Sequence, residues 1–229
     1  MNKTKIEWCD YTLNPIKGLC KNECFYCYAR AMYKRFKWDE NIVFKPYELE
    51  KVNQIPPLAK IFLCSTHDLF GDWIPQKWID YILNKISPMP HTYMILTKNP
   101  QRPYWDNLYF PNNTWFGITV THNNDRDWSN IFHLIHEDED EGIKAKIKFI
   151  SFEPLIDELD TDNFHYWGDV NWFIIGAMTG RYKNIWKPTQ EAIKRLLNVA
   201  DKYNIPVFMK DNLDWEGEKR REFPNRKVL

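Results

Sequence analysis

Three of the chain's five cysteines fall within eight residues, Cys20-Lys21-Asn22-Glu23-Cys24-Phe25-Tyr26-Cys27, at a C-x3-C-x2-C spacing. Thiolates this close on one loop suit a metal group that takes several sulfurs from one side. Cys20, Cys24 and Cys27 can each bind one iron of a four-iron, four-sulfur (4Fe-4S) cluster, leaving the fourth iron without a protein ligand and open to an outside molecule. The alternative is zinc, which closes its shell with four N or S ligands, and Cys9 or Cys64 could supply the fourth. Zinc ribbons usually split their ligands into two distant pairs, whereas these three are bunched, which favours iron. An odd number of cysteines and no mark of secretion argue for reduced thiols in a cytosol rather than disulfides.

At this spacing the triad resembles the signature of the radical S-adenosylmethionine (SAM) enzymes, where the methionine amino and carboxylate groups of SAM chelate the open iron. The resemblance implies an aromatic residue before the third cysteine that packs on the adenine, and Tyr26 stands there. Ser65 and Asp68 are candidates for the methionine amino group, although as plain helix caps they would look the same. Thr97, Lys98, Thr119, Ser151 and Glu153 could hold the ribose, the carboxylate or the substrate. The catalytic residues are left open among Glu153, Lys98 and Lys210. Glu153 has the stronger case, because ionised groups are rarely buried without partners, and Lys210 would either neutralise an anionic substrate or pair with Glu153. His67 and His122 also sit at strand ends, where a lone histidine is more often a hydrogen-bonded rim residue. His133 and His136, one turn apart, read as solvent-facing.

The elements that must position these residues follow from hydrophobic periodicity. Apolar runs at residues 6–16, 61–64, 93–96, 115–118, 147–150, 170–175 and 206–209 predict strands, each gaining Ser, Thr, Lys, Asp or Glu at its C-terminal end. Between them lie helical stripes. Ala29, Met32, Tyr33 and Phe36 share one face; Trp78, Ile79, Ile82, Leu83 and Ile86 another. Trp128, Ile131, Phe132 and Ile135 form a third behind a cap at Asp127, and Ile193, Leu196, Leu197 and Ala200 a fourth. Strands alternating with helices imply a parallel sheet, and polar residues at the strands' C-terminal ends mark the active rim of such sheets. The cysteine loop follows the first strand and so opens on that rim.

With 229 residues the chain reads as one domain, 1–229, whose segment 212–229 is charged and reads as a mobile end. The 31 basic and 31 acidic residues cancel, so no global field draws the chain to nucleic acid or a membrane. Locally the charge is uneven: residues 1–60 carry 11 Lys/Arg against 7 Asp/Glu, and 121–162 carry 4 against 12. The run Glu137 to Glu141 reads as a solvated turn. The opening residues lack the apolar run of a signal peptide and no stretch is long and apolar enough to span a bilayer, which predicts a soluble cytoplasmic protein with no membrane partner. The stretch Tyr33-Lys34-Arg35-Phe36-Lys37-Trp38 could track a nucleic-acid backbone with rings for stacking, but its periodicity suits an amphipathic helix equally well, and zero net charge favours the helix.

Most of the chain resembles a phage-associated three-Cys-motif family of unknown function (DUF5131-type), radical-SAM-like. The shared positions are Thr4-Lys5-Ile6-Glu7-Trp8, Asn14-Pro15, Gly18 ahead of Cys20, and Cys24 with Cys27-Tyr28-Ala29. They continue through Ser65, Asp68-Leu69-Phe70, Leu96-Thr97-Lys98 with Pro100, and Gly117-Ile118-Thr119-Val120. Ser151, Glu153-Pro154-Leu155, Gly176, Gly180 and Lys210 complete them.

The resemblance implies a partial TIM-like (β/α)6 barrel of the radical-SAM type, parallel strands with outer helices, holding a 4Fe-4S cluster and SAM. It implies reductive cleavage of SAM to a 5′-deoxyadenosyl radical for hydrogen abstraction from a substrate, with a nucleotide or nucleic acid suggested by association with phage genomes. An electron donor protein such as flavodoxin or ferredoxin and a companion protein are the implied partners. Two departures stand out: Met178 lies in Gly176-Ala177-Met178-Thr179-Gly180 where the family has a glutamate, and Leu19 takes the place of a glycine beside the first cysteine. The first keeps open a relative that holds the cluster without cleaving SAM. The other alternative is a zinc-stabilised nucleic-acid-binding module without SAM chemistry.

Overall fold

The computed structural model describes residues 3–105, 108–135, 143–162 and 164–224, without the side chains of 104 and 105. His136 and the acidic run from Glu137 lie outside the described residues. In chain order the elements are β1 (Tyr11–Leu13), β2 (Ile16–Lys17), α1 (Tyr28–Phe36), β3 (Val43–Phe44), β4 (Lys60–Leu63), α2 (Gln76–Ile86), β5 (Thr92–Thr97) and α3 (Gln101–Trp105). There follow β6 (Thr114–Thr119), α4 (Asp125–Ile135), β7 (Ile147–Phe152), β8 (Trp172–Ile175), α5 (Gln190–Tyr203) and β9 (Val207–Met209). The architecture is mixed α/β, and seven strands form one sheet in the order β1-β4-β5-β6-β7-β8-β9, as the alternation of apolar runs and helical stripes predicts. The pairs β1 with β4, β4 with β5, β7 with β8 and β8 with β9 are parallel.

Three elements differ from expectation for identifiable reasons. Asn14-Pro15 divides the first apolar run: proline has no N–H for a ladder, and the chain beyond it leaves the main sheet as β2 to pair antiparallel with β3. Between β7 and β8 the described residues hold a single 3-10 turn, Trp167–Asp169, where the alternation calls for an α-helix. That stretch carries Pro154 and four acidic residues from Asp157 to Asp162, with no helical stripe to bury. In α4, Asp127 is not the cap; Asn124 is, its side chain accepting the Asp127 N–H at 2.9 Å.

The chain forms two compact units, Met1–Phe116 with Ile143–Lys146, and Gly117–Gly142 with Ile147–Leu229. In the first, α2 buries Ile79, Ile82, Leu83 and Ile86, each contributing about 1.5–3 kcal/mol by leaving water. Phe70, Phe110 and Phe116 form a ring cluster there, with centroids 5.0 to 5.9 Å apart. On α1 only Ala29 and Tyr33 are buried; Phe36, expected inside, is 51% exposed because the helix stops there.

In the second unit, α5 buries Ala192, Ile193, Leu196, Val199 and Ala200. Thr189 caps it, accepting the Ala192 N–H at 3.0 Å. On α4, the spacing places Phe132 inside, yet it lies 45% exposed; Ile131, Leu134 and Ile135 are the buried apolar face. Of the segment 212–229, the residues up to Pro224 are described, and those around Glu222 are docked on β9. Met209 and Glu222 donate backbone N–H groups to Arg220 and Val207 carbonyls at 2.9 Å, and the Phe223 ring lies 5.2 Å from Trp172.

Candidate functional site

The cysteine loop begins at Gly18, whose φ of +102° favours glycine and whose missing Cβ would overlap the Asn41 carbonyl. Glycine is therefore needed here, one position ahead of Leu19. The Gly18 N–H donates to the Tyr33 hydroxyl at 2.8 Å, and its carbonyl faces His67 Nδ1 at 3.3 Å. The Trp73 indole N–H, which can only donate, points at His67 Nε2 from 2.8 Å, so the proton of the neutral ring sits on Nδ1 and bonds Gly18. Burial, the largest influence, lowers the His67 pKa and keeps the ring neutral.

At the far end Cys27 is the N-cap of α1, its sulfur facing the Arg30 N–H at 3.5 Å. The Arg30 guanidinium donates back to the Cys20 carbonyl at 2.8 Å, and the Tyr28 hydroxyl donates to the Ser65 carbonyl at 2.7 Å. The loop is tied at both ends and in the middle. In the middle the tie is Asp68, which accepts from the Asn22 side chain (2.8 Å), the Thr97 hydroxyl (2.7 Å), the Lys98 N–H (2.9 Å) and the Phe70 N–H (3.1 Å). With two bonds on each oxygen, this buried carboxylate joins the cysteine loop, the segment after β4 and the end of β5.

All five cysteines are free thiols, and Cys20, Cys24 and Cys27 are half-buried. Burial pushes the Cys20 thiol up to about 11, so a cation is needed to bring it to the thiolate. Among the described residues no group of three or more His, Cys, Asp or Glu is gathered around one point as a ready metal site. The side chains serve the loop instead: the Cys27 sulfur caps α1, and the Cys24 thiol faces the Asn22 carbonyl at 4.0 Å. The donor set nonetheless fits an iron–sulfur cluster in kind, being three reduced, half-buried soft ligands on one clamped loop. Cys9 and Cys64 are buried, and Cys64, at φ +57°, has its thiol pushed strongly upward by burial.

Of the residues read from the sequence as cofactor contacts, several already have internal partners. Thr97 donates to Asp68 and accepts the Asn99 N–H at 2.9 Å. The Ser65 hydroxyl bonds Asn14 Oδ1 at 3.2 Å, and Asn14 takes Thr66 as well. Lys98 keeps its ammonium 5.5 Å from the centre of the Tyr26 ring, a cation–π contact that brings two of the proposed contacts together. Asn14 stands among the positions of the family resemblance and Asn22 does not; beyond that, their signal in the sequence is that short amides in loops tend to bond backbone and carboxylates.

The second unit assembles another polar group at the C-terminal ends of β7, β8 and β9. Lys210 and Glu153 form an ion pair there, the second of the two readings of Lys210. Their side chains are 11% and 24% exposed. Glu153 precedes a cis proline, Pro154. Gly176 leaves room for the pair: a Cβ on it would come within 2.9 Å of Lys210 Cδ and 3.1 Å of Glu153 Cγ. Asn212, which the sequence reading missed, holds Ala177 by both backbone groups, at 3.2 and 2.7 Å. Met178 is buried. Ser151 is buried in β7, its carbonyl accepting the Val120 N–H, and Thr119 is half-buried at the end of β6. His122 meets Asp157 at 3.1 Å. His133 is half-buried rather than solvent-facing.

No helix among the described residues is long and apolar enough to cross a membrane. No curated protein and no solved structure matches the chain. One family does match, over residues 3–227, which is nearly the whole length, and the chain belongs to it: the family described as Protein of unknown function (DUF5131).

Proposed function

We propose that the chain is a radical SAM enzyme on a partial TIM-like barrel, binding a 4Fe-4S cluster through Cys20, Cys24 and Cys27. The observation that carries this reading is that the three free thiols stand on one loop, between β2 and α1, that Gly18 and Arg30 fix and that Asn22 ties to Asp68 in the segment after β4. Held by Cys20, Cys24 and Cys27, a cluster would supply the electron for reductive cleavage of SAM to methionine and a 5′-deoxyadenosyl radical, which would take a hydrogen atom from the substrate.

The chain's own residues supply binding and position. The Tyr26 ring offers a face for the adenine, and the Lys98 ammonium held against that ring offers a cation for the methionine carboxylate. Asp68 and Thr97 act one step back, fixing the loop and Lys98 through the hydrogen bonds that already engage them. An electron carrier of the flavodoxin or ferredoxin kind would supply the reductant.

Anaerobic reconstitution with iron and sulfide tests the reading. A brown protein absorbing near about 400 nm, with Cys24→Ala failing to assemble it, is expected. Incubation with dithionite and SAM should then release 5′-deoxyadenosine. A cluster without that product would make the chain a non-cleaving relative. A colourless protein holding one zinc would replace the reading with a zinc-stabilised nucleic-acid-binding module.

A further inference from the structure

Half-exposed rings follow one another on the cysteine loop, on the helix after it and just past the end of that helix. Phe25, Tyr28, Phe36 and Trp38 are 49%, 48%, 51% and 45% exposed. An amphipathic helix would have turned Phe36 inward with Ala29 and Tyr33. Instead Lys37 takes a left-handed conformation at φ +50° and ends α1, and the chain folds back so that Trp38 stacks on Phe36, with centroids 5.3 Å apart and planes at 22°. The buried Tyr33 ring meets Trp38 edge-on at 5.3 Å, and the Trp38 N–H bonds the Tyr33 carbonyl at 3.2 Å. The platform is therefore fixed from beneath, with about half of each of its two rings left in solvent.

Charge is concentrated on the same stretch. From Cys20 to Trp38 the cations are Lys21, Arg30, Lys34, Arg35 and Lys37, against one carboxylate, Glu23; the rest of the chain carries 26 basic and 30 acidic residues. No acidic residue lies on α1, and the Arg35 guanidinium sits 5.3 Å from the centre of the Phe36 ring. Tyr28, Ala31 and Arg35, at offsets of three and seven, form one exposed stripe along the helix. It leads from the cysteine loop to the Phe36–Trp38 pair, about 14 Å along a nine-residue helix. That length spans roughly four stacked nucleotides.

We propose that this ledge binds single-stranded nucleic acid, with bases stacked on the exposed rings and phosphates on the lysines and arginines. Exposed ring faces beside a row of cations suit unpaired bases, since paired bases keep their faces stacked inside the duplex. A protein partner would have to answer this excess of positive charge along one helix face, whereas a phosphate backbone answers it at every step. Binding stands on this surface alone; that the bound strand is also what the proposed enzyme acts on rests on the cluster reading, and binding is measured without the cluster.

The test uses the full chain without cluster and fluorescein-labelled oligothymidylate and oligouridylate of about fifteen nucleotides, followed by anisotropy from about 50 to 200 mM salt. Expected is binding at least about tenfold tighter than to the matching duplex. Lys34→Glu with Arg35→Glu should weaken it at least about tenfold and lower the salt slope by about two. Phe36→Ala with Trp38→Ala should weaken it about tenfold with the salt slope unchanged. These side chains are exposed, and circular dichroism checks that the variants fold. Equal affinity for the duplex overturns the proposal, as does failure of either oligonucleotide to bind. Sedimentation with phosphatidylserine vesicles in place of oligonucleotide binding overturns it in favour of a membrane surface.

Discussion

Asn22, between the first two cysteines of the loop, donates its side-chain amide to Asp68 at 2.8 Å across 46 residues of sequence. The same carboxylate receives Thr97, Lys98 and Phe70, so its four acceptor positions are all used. A residue that the polar rim pattern offers as a cofactor contact is a strut for the loop that holds the thiols.

Asp68→Asn should therefore act on structure before chemistry. One oxygen becomes a donor facing other donors, and the loss should be about 1–3 kcal/mol in urea unfolding. Hydrogen exchange should quicken at the amides of residues 19–27 while those of β8 keep their rates. Unchanged stability with unchanged exchange would show that the loop does not need this carboxylate.

Metal content should discriminate among the cysteines by position. In reconstituted protein, Cys9→Ala and Cys64→Ala should keep the iron and sulfide of the parent, because both thiols are buried and neither belongs to the loop. Cys20→Ala, Cys24→Ala and Cys27→Ala should each lose them. Loss of metal in Cys9→Ala alone, with its fold intact by circular dichroism, would point instead to a four-sulfur zinc site.

The Glu153–Lys210 pair gives a double-mutant test in the second unit. Lys210→Met leaves Glu153 partly buried without its partner, and about 1–3 kcal/mol should be lost, less than for a fully buried pair because the carboxylate is 24% exposed. Adding Glu153→Gln should recover part of the loss. Gly176→Ala, whose Cβ crowds both side chains, should cost about 1–3 kcal/mol. Additive losses in the double variant would mean that the two groups are not coupled.

Acid should weaken the fold through His67. Burial holds its pKa below the ordinary value of 6.5, and His91 is shifted the same way for the same reason. Between the folded and unfolded values only the unfolded chain takes up the proton. The contribution to stability is thus complete above 6.5 and is lost as the pH falls toward the folded value. The urea midpoint should drop between about pH 7.5 and 5.5, and less steeply in His67→Asn. A midpoint that rises on acidification would contradict this placement of the histidine.

Much of the scaffold is legible in the residues. Seven apolar runs become the seven strands of the main sheet, since runs bounded by polar loops have few other ways to bury themselves. The stripe of α2 is buried at Ile79, Ile82, Leu83 and Ile86 because it spans three full turns. Periodicity says less near a helix end: Phe36 and Phe132 fit their stripes by spacing, yet both are exposed. The polar residues are harder still. Which donor satisfies Asp68, or that Lys210 meets Glu153 from 57 residues away, is decided by tertiary approach, and local sequence holds no signal for it. Loop position offered Ser65 and Thr97 as cofactor contacts, but only the fold shows Asn14 and Asp68 beside them.

The residues around Glu222 do more than end the described chain. By pairing with Val207 and Met209 on the outer side of β9, and placing the Glu222 carboxylate on the Val207 N–H at 2.8 Å, they fill the last ladder of the sheet. A second protein cannot append a strand at that margin, and two copies cannot zip together there. A partner approaching this side would meet side chains rather than open backbone groups.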